Sequence, residues 1–254
     1  VSAIVAIALN TFREAIRDRI LYLILSFALL LIAVSHFVSL LTVGSELKIV
    51  KDLGLSAISF FGLLTAVFVG VSLVFKEIER RTVYTLLAQP VRRWQFICGK
   101  YAGLSLVLGS SVLVTGAGLL LAVALKGESP FGLLPAIFLG FVELELIGAF
   151  AVLFSSFTNP ILAAVGTVAT YVVGHLSWSF ELLEKRIPGS GVKALCRGLH
   201  AVVPNLDRLN VKASAVHGVA LPPGYFVAAV AYGFFYAAAI VILACLIFER
   251  REFV

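Results

Sequence analysis

Five stretches of this 254-residue chain carry no Asp, Glu, Lys or Arg: 20–45, 53–75, 101–125, 146–180 and 213–248. Each exceeds the roughly 20 apolar residues that a helix needs to cross a hydrocarbon layer about 30 Å thick. The chain is 61% hydrophobic and 13% charged, whereas soluble domains run near ~45–50% and ~25% because they must wet their surface. Lipid must therefore be the solvent for most of this chain. The net charge of +6 then calls for no nucleic acid, since Lys and Arg beside membrane spans set orientation. Cys98, Cys196 and Cys245 are odd in number, far apart and without a CxxC pair, which excludes a secreted disulfide framework. The first apolar stretch follows a charged run and continues to full span length, unlike a cleavable signal peptide.

The fourth stretch is too long for one crossing. Within it lies Ser155-Ser156-Phe157-Thr158-Asn159-Pro160, and proline disfavours helix in the residue before it while suiting the first helical position. Asn159-Pro160 therefore reads as a turn opening a new helix, and the span before it extends back to about Gly132. In the last stretch Leu221-Pro222-Pro223-Gly224 moves the membrane part to begin at Tyr225. The sequence thus predicts an all-α integral membrane protein, one transmembrane domain over 1–254, with six spans at 20–42, 55–75, 101–125, 132–154, 161–179 and 225–248. Eleven basic residues near span ends fall on one side: Arg13, Arg17, Arg19, Lys76, Arg80, Arg81, Arg92, Arg93, Lys100, Arg250 and Arg251. The short connections of the other side hold Lys48, Lys51 and Lys126. The rule that basic loops stay inside puts both termini in the cytoplasm. Segment 180–224 becomes an outer segment of short helices.

Residues 2–19 have another character. Ile4, Ala8, Phe12 and Ile16 recur every four residues, with Arg13, Glu14, Arg17 and Asp18 on the other side. This is the pattern of a helix lying in the membrane interface; the alternative is a plain extension of span one. Between spans two and three, Thr82 can cap a short helix that Pro90 terminates. Val83, Tyr84, Leu86 and Leu87 give it an apolar surface, and Arg80, Arg81, Arg92 and Arg93 flank it. Such a knob suits docking to a cytoplasmic protein, or else lies back on the headgroups.

The stretch from Glu77 to Tyr101 resembles the cytoplasmic loop of type-2 ATP-binding-cassette (ABC) exporter permeases. The matching residues are Glu77, Glu79, Thr82, Leu86, Leu87, Pro90, Val91, Arg93, Gly99 and Lys100. Arg81 stands where the family often has Gly. The basic amphipathic entry 12–19, the Ser-Ser-Phe-Thr-Asn-Pro turn and Val203-Pro204-Asn205-Leu206 extend the likeness. The resemblance implies a homodimer or pseudo-dimer of permeases in a bacterial cytoplasmic (inner) membrane. Each permease would bind an ATPase on a separate chain, two copies in all, which holds the ATP and Mg. Residues 82–89 would be the coupling helix seated in that ATPase, with Glu79, Arg81 and Arg93 at its flanks. Residues 2–19 would be the elbow helix, carrying Phe12, Arg13, Ile16 and Arg17. The chain itself lacks a G-x-x-x-x-G-K-[ST] phosphate loop, so ATP hydrolysis is expected on the partner, and no cofactor or metal on this chain. Accessory proteins are compatible with this scheme.

Glu143 and Glu145 sit near the middle of span four, where acids are costly and face protein or water. Two positions apart, they point about 200° from one another on a helix. They are either a substrate or proton contact, or carboxylic acids hydrogen-bonded to span-three hydroxyls such as Ser110, Ser111 or Thr115. The resemblance further implies that spans two and five line a central path. Phe61, Thr65, Phe68 and Ser72 would then form one stripe of span two, and Gly166, Thr170 and Gly174 a small-residue ridge of span five with Tyr171 alongside. Small residues four apart also signal close helix packing. A path lined this way suits an amphiphilic or lipid-like substrate. A copper path would call for soft Met and Cys donors, and the chain has no Met. Two further classes compete: an ion-coupled secondary transporter using Glu143 or Glu145, and a membrane scaffold that transports nothing.

Overall fold

The computed structural model describes residues 3–41, 46–79, 92–176 and 203–250, and of 74–79 the backbone alone. The described residues form helices and turns: α1 (Ala3–Ile16), α2 (Arg19–Ser39), α3 (Glu46–Glu79), α4 (Arg93–Ala124), α5 (Leu134–Phe157), α6 (Pro160–His175), α7 (Lys212–His217) and α8 (Tyr225–Arg250). Short 3-10 turns at Pro130–Leu133 and Leu206–Arg208 precede α5 and α7. Five of these helices, α2, α3, α4, α5 (with its 3-10 turn) and α8, are long and apolar enough to cross a membrane. The sixth expected span, α6, is apolar but has 16 residues, a rise of about 24 Å at 1.5 Å per residue.

Local sequence explains where the helices break. Asp18 caps α2, its carboxylate accepting from the Ile20 N–H at 3.0 Å. Asn159 caps α6 in the same way, accepting from the Leu162 N–H at 2.9 Å, with Pro160 at the first helical position. The turn expected at Asn159-Pro160 is therefore present. Two helices begin well before the spans expected within them: α3 at Glu46, with its span expected from 55, and α4 at Arg93, with its span expected from Tyr101. Charged residues end a membrane span without ending a helix. The early turns of α3 are held by ion pairs to the α4–α5 connection, Lys126–Glu46 at 2.9 Å and Lys51–Glu128 at 2.8 Å.

Helix α5 is the centre of the bundle, with 78% of its most apolar window buried; α3 follows at 72%, while α2 and α8 are at the rim with 28%. Helices α3, α4, α6 and α8 all pack on α5. Close approach comes from glycines that receive large neighbours. A Cβ at Gly54 would overlap Leu119 of α4, one at Gly62 would overlap Leu144 of α5, and one at Gly70 would stand 2.9 Å from the Ala151 Cβ. On α8, Gly233 receives Val142 in the same manner. Without a hydrophobic drive between helices in lipid, such small-residue contacts are what holds a bundle together.

The contacts also sort the helix ends. At one end meet α1, the start of α4 and the finish of α8, with Gly99 against Ile7 and the Arg93 guanidinium on the Glu249 carbonyl. At the other meet the α3 start, the α4–α5 connection and α7. Long helices consecutive in the chain thus run antiparallel, whereas α3, α5 and α8 run parallel to one another.

Candidate functional site

The expected docking helix, with Arg81, Thr82, Val83, Tyr84, Leu86, Leu87 and Pro90, lies outside the described residues, as does the side chain of Glu79. The structure does describe the platform to which that loop returns. Arg93 opens α4, and its Nη1 donates to the Glu249 carbonyl at 3.1 Å, a cation placed on the C-terminal carbonyls of α8. Phe96 stacks on Phe248 with ring centroids 5.8 Å apart. Lys100 is buried with its Nζ 5.6 Å from the centre of the Phe96 ring.

Helix α1 seats on the same platform through a small-residue seam. A Cβ at Gly99 would stand 2.7 Å from the Ile7 Cβ, and one at Gly103 would stand 2.6 Å from the Thr11 Cβ. The buried positions of α1 are Ala8, Thr11 and Ala15, and Phe12 and Ile16 are only half-buried. The face packed on α4 is thus Ala8, Thr11 and Ala15, where the α4 glycines accept small residues most closely, and it shares Ala8 with the Ile4–Ala8–Phe12–Ile16 stripe expected to face the membrane interface. Arg13 and Arg17 are exposed, and Val5 and Leu9 leave an apolar side uncovered.

The expected span-two stripe divides. Thr65 is buried and donates to its own helix at the Phe61 carbonyl, and Phe61 and Thr65 face α2 and α4 beside Ile24, Ser111 and Thr115. Phe68, like Phe60, is more than half exposed, and Ser72 is half-buried at the edge. The outward arc of α3 is therefore Ser56, Phe60, Leu64 and Phe68. On α6, Thr170 is buried and donates to the Gly166 carbonyl at 2.8 Å. Gly166 lies against the Phe154 ring and Gly174 against Leu206 and the Pro204 carbonyl. The ridge of small residues is accordingly a packing surface. The uncovered side of α6 is Ile161, Val165, Val168 and Val172.

The two acids of α5 are enclosed, at 1% and 2% exposure, and they do have different surroundings. The Glu143 Oε1 is 3.5 Å from His175 Nε2, at the end of α6. The His175 ring lies 4.5 Å from that of Tyr171, and its Nδ1 is 3.2 Å from the Tyr171 carbonyl. Lys212 and Asp207 are the other charged groups that act on Glu143. Glu145 turns to α4, where Tyr101 and Ser105 reach its carboxyl; the Tyr101 hydroxyl also donates to the Glu145 carbonyl at 3.3 Å. The expected hydroxyls are engaged elsewhere. Ser110 and Ser111 donate to the Val107 carbonyl and Thr115 to the Ser111 carbonyl. A helical hydroxyl reaches its own i−3 or i−4 carbonyl before it reaches a neighbour. Sequence reasoning missed Tyr101, Ser105 and His175 as partners, because contacts across 30 residues or more leave no local pattern.

A family model described as ABC-2 family transporter protein matches residues 5–253. No curated protein matches the chain.

Proposed function

The chain belongs to the ABC-2 transporter family, and from that premise we propose that it is the permease of an ATP-driven exporter whose ATPase is a separate chain. Membership makes it the membrane component of an ABC transporter, a class partnered by an ABC ATPase. The match over 5–253 carries this reading, because it takes in the whole helical bundle and the loop 80–91 together. In our reading residues 82–89 form the coupling helix. Its movement reaches the bundle where the loop ends, through Arg93 on the end of α8 and Gly99 and Gly103 under α1. The elbow role falls to α1, whose exposed Val5 and Leu9 would sit in the acyl boundary with Arg13 and Arg17 at the headgroups.

We further propose six crossings, with α6 completed by residues beyond His175, and both termini in the cytoplasm of a bacterial inner membrane. Two copies of this chain and two ATPases would form the transporter. The outward arcs of α3 and α6, Phe60 and Phe68 with Val165, Val168 and Val172, are the surfaces that would face the partner protomer and the path. They stand in this reading in place of Phe61, half-buried against α2 and α4, and of Thr65 and Thr170, which are buried. An apolar path of this kind suits an amphiphilic or lipid-like substrate moved outward. Glu143 and Glu145, held within one protomer against His175 and against Tyr101 with Ser105, serve in this reading as fasteners between helices.

The test is copurification. A tagged chain from its own membranes should bring with it an ATP-hydrolysing subunit, and Leu86→Asp with Leu87→Asp should lower the recovered ATPase activity at least tenfold at unchanged permease yield. Undiminished recovery of activity with the double variant would refute the docking assignment.

A further inference from the structure

Cys98 of α4 and Cys245 of α8 face each other with their sulfur atoms 3.8 Å apart. Both are free thiols, from helices 147 residues apart in sequence. Their meeting is fixed by the contacts on either side of it. Phe96 stacks on Phe248, Arg93 donates to the Glu249 carbonyl, and the Cys245 sulfur lies 3.8 Å from the Trp94 carbonyl. The start of α4 and the finish of α8 are thus held side by side with the two sulfur atoms in van der Waals contact, where a sulfur–sulfur bond measures about 2.05 Å. Accessibility is unequal. Cys98 is half-buried and Cys245 is 9% exposed. A more accessible thiol beside a sheltered one that can resolve it is the arrangement of a redox pair.

We propose that Cys98 and Cys245 are a redox-active dithiol that a hydroperoxide oxidises to an intramolecular disulfide, locking the first turns of α4 to the last turns of α8. In the first step the Cys98 sulfur attacks the peroxide O–O bond and takes one oxygen as a sulfenic acid. The other oxygen leaves with the thiol proton as an alcohol, or as water from hydrogen peroxide. In the second step the Cys245 sulfur displaces the sulfenic oxygen, the S–S bond forms, and water carries away the remaining proton. Two thiols lose two electrons in all, and one peroxide gains them. A bond of this kind in a reducing compartment is transient and sensory, and reduction by a thiol restores the pair. Its position gives it consequence, since α4 is the element that follows residues 80–91 in the chain. That consequence rests on the transport reading, whereas formation of the bond does not.

Tag counting on the full chain in its membranes tests the bond directly. In a Cys196→Ser chain, a polyethylene-glycol maleimide applied after denaturation should add two tags before hydrogen peroxide and none after it, at the mass of a single chain. Dithiothreitol should restore both. With Cys98→Ser added, the one remaining tag on Cys245 should persist through the peroxide step. Two tags retained after peroxide, a loss that dithiothreitol does not reverse, or a bond that doubles the mass would each overturn the proposal. Complete, reversible tag loss with ATP hydrolysis unchanged would uphold the dithiol and count instead against the transport reading of this end.

Discussion

Gly62 shows how much one missing carbon decides. It lies on α3 where the Leu144 side chain of the central helix enters, and a Cβ there would overlap that side chain. Gly62→Val should cost about 1–3 kcal/mol of overpacking, read as a lower thermal midpoint in detergent. Gly140→Ala is the control, because nothing lies within 4 Å of an added Cβ, and it should leave the midpoint unchanged. A midpoint unmoved by Gly62→Val would remove the interlock of α3 and α5. At the same scale, Glu143→Gln keeps a side chain of equal size beside His175. ATP hydrolysis by the assembled complex should then stay within about threefold, whereas Glu143→Leu removes the 3.5 Å contact to His175 and should lower the thermal midpoint. A loss of hydrolysis in Glu143→Gln at unchanged midpoint would make the acid functional, not structural. That the acids are enclosed was legible from their depth in an apolar span. Their partners were not, since Tyr101 and His175 come from other helices.

Helices were legible where apolar length alone determines them. The turn at Asn159-Pro160 could be read too, since proline acts locally, whereas Asp18, read as part of helix 2–19, caps α2 instead. What the pattern hides is the helix that outlasts its span. Glu46, Lys48, Lys51 and Asp52 look like an end to α3, yet ion pairs to Lys126 and Glu128 keep those turns ordered. The packing face of α1 is hidden for a related reason. Apolar periodicity finds greasy faces, and Ala8, Thr11 and Ala15 are chosen for fit against Gly99 and Gly103. Gly103→Leu should therefore detach α1 while the spans stay inserted. Trypsin should then cut after Arg13 or Arg17 at least fivefold faster than in the native chain, followed by mass spectrometry of membranes. Unchanged cleavage would show that α1 does not depend on that seam.

Across the whole molecule, the bundle sorts its ends, with Arg93, Glu249 and α1 at one and Lys51, Glu128 and α7 at the other. The basic residues of the sequence favour the first end as cytoplasmic. A single cysteine introduced as Arg92→Cys in a chain lacking its native cysteines should react with an impermeant maleimide in inside-out vesicles only, and one introduced as Glu128→Cys in intact spheroplasts only. The reverse pattern would turn the molecule over. The family was legible from the loop motif, because Thr82, Leu86, Leu87, Pro90, Arg93, Gly99 and Lys100 stand at the spacing the resemblance rests on. The surfaces proposed for a second protomer were less so. Phe61 and Thr65 differ from Phe60 and Phe68 only by rotation about α3, and only packing fixes that rotation. The central claim is that residues 82–89 meet an ATP-driven chain, and a photo-reactive phenyl ketone placed at position 86 reads it directly. Irradiated membranes should yield one adduct whose added mass and nucleotide binding are those of an ABC ATPase, absent when the group sits at the exposed Leu41. Adducts at position 86 with lipid alone would contradict it.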